Sequence, residues 1–146
     1  MAAYIKATAY CIIDNNGRIL LTQDEGKTGW KLPGGAIKKN ESLVEAAVRE
    51  VKEETGLDVE ITGLVSLQEY TNKRGEHRLR VYFAANLKGG SEQVNPGEVA
   101  KIVWLSKSEV LRLSEKDFYI NQYYLAMQEY LAGHIYPIAI ITNPKL

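Results

Sequence analysis

The stretch from Pro33 to Leu57 constrains the fold more than any other part of this chain. Pro33-Gly34-Gly35 is a Gly-rich turn, and it leads into a segment with full helix punctuation. Ser42 followed three residues later by Glu45 matches a capping box. Leu43, Val44, Ala47, Val48 and Val51 form an apolar stripe at helical spacing. Gly56 stands where a left-handed C-terminal cap belongs. Glu50, Glu53 and Glu54 fall at i, i+3 and i+4, so they share one side of the helix, beside the stripe. Like charges that close repel one another, and a divalent cation would hold them together. The pattern predicts a carboxylate cluster in a cleft at the edge of the buried face.

The rest of the chain alternates strands and turns. Residues 4–13 read as a strand, Asn15-Asn16-Gly17 as a turn and residues 18–23 as a returning strand, together a β-hairpin. Residues 24–29 read as a mobile polar loop. Residues 58–70 are β-prone, 72–76 look like a hairpin loop, and 78–87 alternate with Leu79, Val81 and Phe83 on one side. A short strand over 102–105, a short helix over 107–113 and a longer helix over 118–131 follow, the last ended by Gly133. The apolar tail, 135–142, reads as an edge strand or a partner contact. Strands joined by hairpins and by one early helix predict a mixed sheet with helices on both faces, an α/β class.

The chain has 146 residues, the size of one compact domain, and one domain over residues 1–146 is expected. Its formal net charge is zero, so no broad basic field would draw in long nucleic acid or an anionic membrane. No apolar run approaches the ~20 residues that span a bilayer, and no signal peptide is visible. A cytoplasmic protein is the expectation. The single cysteine, Cys11, lies in an apolar run and reads as a buried, inert thiol.

Gly35, five residues, Glu41, seven residues, then Arg49-Glu50-Val51-Lys52-Glu53-Glu54-Thr55-Gly56-Leu57 resembles the full signature of the Nudix hydrolases. The lead-in Trp30-Lys31-Leu32-Pro33-Gly34 is similar as well, and the resemblance extends over residues 4 to 132. It implies an α/β/α sandwich around a mixed β-sheet. It also implies hydrolysis of a nucleoside diphosphate-linked small molecule with Mg²⁺ or Mn²⁺. Hard cations prefer oxygen ligands, so a glutamate cluster suits them. By the resemblance, Glu50 and Glu54 ligate the metal with help from the Gly35 carbonyl, and Glu53 is a third ligand or the base. Arg49 would orient the carboxylates, most simply Glu53 at i+4. Glu41 would support the loop or join the metal site through water. Glu98, six residues before Trp104, is the candidate extra ligand or alternative base, and Glu92 a weaker one.

For the substrate, the candidate contacts are Trp30, Tyr70, Arg80 and Tyr82. Each has a packing role as its rival reading. A nucleoside triphosphate, oxidised or not, is the narrower expectation; removal of pyrophosphate from RNA 5′ ends and a non-catalytic nucleotide sensor are the rivals. Lys38-Lys39 read as an exposed loop tip. His77 and His134 lack ligand spacing and are expected to be non-catalytic. The Tyr-rich helix and the apolar tail make a homodimer the one protein partner to consider.

Overall fold

The computed structural model describes residues 2–144. Its strands are β1 (Ile5–Asn15), β2 (Arg18–Asp24), β3 (Gly34–Ala36), β4 (Leu57–Thr71), β5 (His77–Gly90) and β6 (Val99–Ser106). The α-helices are α1 (Leu43–Thr55), α2 (Lys107–Leu111) and α3 (Asn121–Leu131). The main sheet order is β4-β5-β1-β2-β6, and β3 also pairs with β1. The β1–β5 pair is parallel and the others are antiparallel. The sheet is therefore mixed, as its sequence pattern predicted.

Strand alternation builds two cores, one on each face of the sheet. Ala9, Cys11 and Ile13 of β1 and Val81, Phe83 and Ala85 of β5 pack with Ala46, Ala47 and Val51 of α1. The neighbouring residues Tyr10, Ile12, Tyr82 and Ala84 turn to the other face, against Val110, Tyr123, Ala126 and Met127. Helices thus cover both faces. Cys11 has no exposed surface, and burial pushes its thiol well above the ordinary range. No helix among the described residues is long and apolar enough to cross a membrane.

Several elements differ from their sequence reading: residues 34–36, read within a Gly-rich turn, form β3, the last strand begins at Val99 rather than at 102, and α2 stops at Leu111 rather than at 113. The longer helix begins at Asn121, because Glu115–Asp117 form a 3₁₀ turn and Phe118 pairs with Trp30. Residue 24 belongs to β2, where Asp24 pairs with Val99 beyond a register shift. The tail makes one antiparallel bridge, Tyr136 to Leu64 of β4, followed by a 3₁₀ turn at Ile138–Ile140. Pro137 has no N–H to carry a ladder further, and β4 shifts register on both sides of the bridge.

Candidate active site

The site is set by the junction of β3 with α1. α1 starts at the reciprocal cap: the Glu45 N–H donates to Ser42 Oγ at 3.1 Å, and the Ser42 N–H donates to Glu45 Oε1 at 3.3 Å. It ends at Gly56, whose φ of 76° is the left-handed cap. Between these stops the carboxylates divide. Glu50 and Glu54, one turn apart, lean in toward β3, while Glu53 stays outside with its side chain 46% exposed. The three carboxylates predicted to share a side therefore split into an inner pair and an outer member.

The two glycines of β3 make room for the inner pair. The Gly34 N–H donates to Glu54 Oε2 at 2.9 Å. A methyl group at Gly35 would stand 2.8 Å from the Glu50 carboxylate. Burial raises the Glu54 carboxyl pKa to about 8, and the Glu50 charge adds to the rise, against the pull of the Gly34 N–H. The charges of Lys31 and Asp24 also reach Glu54. Lys31 Nζ and Asp24 Oδ2 form an ion pair at 2.5 Å.

Arg49 ties the outer parts together. Its Nε and Nη2 donate to the two oxygens of Glu41 at 2.6 and 2.9 Å, a bidentate pair. Nη1 donates to Glu50 at 3.0 Å and to Glu53 at 3.1 Å, and Nη2 also donates to the Ala36 carbonyl. The chief partner of Arg49 is thus Glu41 rather than Glu53. Glu41 in turn accepts from the Lys38 N–H, closing the loop between β3 and α1. The Arg49 guanidinium, with help from that N–H, holds the Glu41 carboxyl down to about 2.

Among the described residues, no three carboxylate, imidazole or thiol groups already stand together as a metal cage. The donor set nonetheless fits a hard divalent cation. It offers only oxygens, and the buried Glu54 lies beside a second carboxylate whose repulsion a cation would relieve. Gly35 brings backbone, without a side chain, up to Glu50.

Among the described residues, the side chains of the remaining candidates make no hydrogen bond or ion pair with this cluster. Glu98 is exposed and accepts from Asn95 Nδ2 at 2.8 Å; Glu92 accepts from Trp104 Nε1 at 3.1 Å. The loop carrying them leans on the end of α1, where the Gln93 N–H donates to the Thr55 carbonyl at 2.7 Å. Trp30 is half-buried, and Lys101 Nζ lies 5.6 Å from its ring centre. Tyr70 is also half-buried, whereas Tyr82 is wholly buried and Arg80 only 7% exposed. Among the residues beside the carboxylates, Asp24 and Lys31 had escaped the sequence reading. The signal available was Lys31 in the lead-in to the Gly-rich turn. Asp24 carried none, because its place depends on strand pairing.

These features define a Nudix fold with its signature carboxylates at a β–α junction. The NUDIX domain family model matches residues 4–126, and the chain belongs to the Nudix family. It is 35% identical over 102 residues to "Nucleoside diphosphate-linked moiety X motif 6" of Xenopus laevis, covering 66% of this chain and 47% of that protein. It is 28% identical over 144 residues to "Phosphatase NudJ" of Shigella boydii, covering 93% of this chain and 90% of the relative. The chain thus spans about half of the Xenopus protein and most of the Shigella one. A NUDIX hydrolase structure from Nitrosomonas europaea superposes with a TM-score of 0.81 at 24% identity, covering 97% of this chain and 98% of that one.

Proposed function

We propose that this chain hydrolyses a phosphoanhydride bond in a nucleoside diphosphate-linked small molecule, with Mg²⁺ or Mn²⁺ as cofactor. The observation that carries the reading is the inward turn of Glu50 and Glu54 against Gly34 and Gly35. The names of the two relatives, a diphosphate-linked-moiety protein and a phosphatase, point to the same class.

Glu50, Glu54 and the Gly35 carbonyl would hold the cation. When bound, it neutralises phosphate charge and eases the loss of a proton from water. Glu53 is the group that accepts that proton: it is partly open to solvent, and Arg49 holds one of its oxygens. Glu98 is the less favoured base, because its carboxylate is engaged by Asn95. Arg49 is a positioning residue, fixing Glu41, Glu50 and Glu53 at once. Trp30 and Tyr70 retain exposed surface with which to meet the nucleoside.

A panel of nucleoside triphosphates (including oxidised ones), ADP-ribose, UDP-sugars, dinucleoside polyphosphates and 5′-triphosphorylated RNA, run with Mg²⁺ in ¹⁸O-labelled water, tests this reading. Turnover of a small nucleotide anhydride is expected, with label in one product phosphate. Tight binding of a nucleotide without turnover of any compound would instead make the chain a nucleotide sensor.

A further inference from the structure

On the sheet face opposite α1, one buried cation has no counter-charge among the described residues. Arg80 is only 7% exposed, and none of the ion pairs among those residues includes it. Its Nε donates to Tyr82 Oη at 2.8 Å. Its guanidinium carbon stands 4.2 Å from the Tyr10 ring centre and 4.8 Å from that of Tyr123. Aromatic faces relieve part of the charge. Nη2, however, is buried with no hydrogen-bond partner. A lone buried guanidinium is costly to a fold, and a chain that needed only packing there would be served by an apolar side chain.

Strand register shows what surrounds it. Arg80 is paired with Gln68 on β4 and Thr8 on β1; Arg78 is paired with Tyr70 and Lys6. Directly paired residues share a face, so these side chains form one patch. Its cations are Lys6, Arg78 and Arg80, and Glu76 offsets one of them through Arg78 at 2.8 Å. Arg78 Nε and Gln68 Oε1 are also buried without partners. Arg78 Nε and Arg80 Nη2 are unmet donors, as an anion requires, whereas Gln68 Oε1 is an acceptor that an anion would not satisfy. The patch adjoins the candidate active site: Thr8 pairs with Ala36 of β3, and Tyr10 pairs with Gly34, whose N–H holds Glu54.

We propose that Arg80 is a specificity-determining residue that binds an anionic oxygen group, phosphate or carboxylate, carried by the substrate away from the bond that is broken. The proposal rests on the hydrolytic reading of the carboxylate cluster. Nε is committed to Tyr82, and Nη2, on the terminal edge of the guanidinium, is the donor left without a partner. The net positive patch selects an anion over a neutral acceptor.

Two matched pairs of compounds test it and separate the two sources of charge. UDP-glucuronate and UDP-glucose differ by one carboxylate; NADP⁺ and NAD⁺ differ by one phosphate. Calorimetric binding to the metal-free protein, and kcat and KM with Mg²⁺, are measured for wild type, Arg80→Met and Arg80→Lys. Wild type is expected to favour the anionic member of one pair by about 30-fold, the size of a charge-assisted contact. Which pair shows the preference identifies the group.

Arg80→Met should abolish that preference by raising the anionic member's KM far more than the neutral member's, and should melt at or above the wild-type temperature. Arg80→Lys should keep part of the preference. No preference in either pair for wild type overturns the proposal, whatever the variants do. So does an Arg80→Met protein that weakens both members equally or melts well below wild type. A binding preference without turnover of any compound would sink the hydrolytic reading and leave this one standing.

Discussion

On the α1 side of the sheet, the charges occur as a set. Glu41, Glu50 and Glu53 share the guanidinium of Arg49, and Glu54 takes a backbone N–H. On the other side, Arg80 sits among tyrosines, and no carboxylate among the described residues is near enough to pair. The first region has negative charge to spare and suits a cation; the second has positive charge to spare and suits an anion. A substrate with phosphates at one end and another anionic group beyond would meet both. Tyr10 joins them: a methyl at Gly34 would lie 2.5 Å from its ring, and the same ring supports Arg80. The contrast shows that a chain of zero net charge can still hold two regions of opposite local charge.

The largest effect should come from the carboxylate side. Glu53→Gln and Glu54→Gln are each expected to lower turnover by about 10²–10⁴-fold with the circular dichroism spectrum unchanged. In the Glu54→Gln variant the new amide oxygen can still accept from the Gly34 N–H, so the fold has no reason to change. Wild-type rates in both variants would remove the chemistry from this region altogether.

A smaller effect, on stability, is expected at the seam between the regions. Gly34 has φ of 155°, and a methyl there would stand 2.2 Å from the Ala9 carbonyl oxygen. Gly34→Ala should cost about 2–4 kcal/mol and lower Tm by roughly 10 °C. A variant that melts like wild type would show that the two regions are not rigidly joined.

The smallest effect is a pH dependence at the rim. Arg49 depresses the Glu41 carboxyl from 4.5 to about 2, so its ionised form stabilises the folded state. That contribution is complete above pH 4.5 and is lost as pH falls toward 2. Chemical denaturation of wild type and Glu41→Gln should differ near neutrality and converge over that window. A gap that stays constant down to the lower end of the window would mean that Glu41 acts through shape rather than charge.

The carboxylate region was largely legible in sequence because it is local. Ser42, Glu45 and Gly56 set the helix ends, and the spacing of Glu50 and Glu54 set their shared direction. The partner of Arg49 was less legible: Glu53 at i+4 follows from helix geometry, but the stronger Glu41 pair needs the loop folded back. The Asp24–Lys31 pair needed β2 to be placed beside the Gly-rich turn. Arg80 and Tyr82 were visible as alternating strand residues, yet alternation cannot say which elements will cover a face. The tail read as strand-like from its composition, and Pro137 with the irregular β4 limits it to one bridge.

Turn chemistry and helical periodicity act over a few residues, so the capped helix, its acidic members, the glycines before it and the α/β class are legible in the amino-acid order alone. Long-range packing decided that Glu53 would stand outside Glu50 and Glu54. It likewise decided that Glu41 would take the fork of Arg49 and that Arg80 would be enclosed without a counter-ion among the described residues. Those outcomes depend on strand register and on which residues distant in sequence are brought together, and contacts of that range are fixed by the packing of the whole sheet.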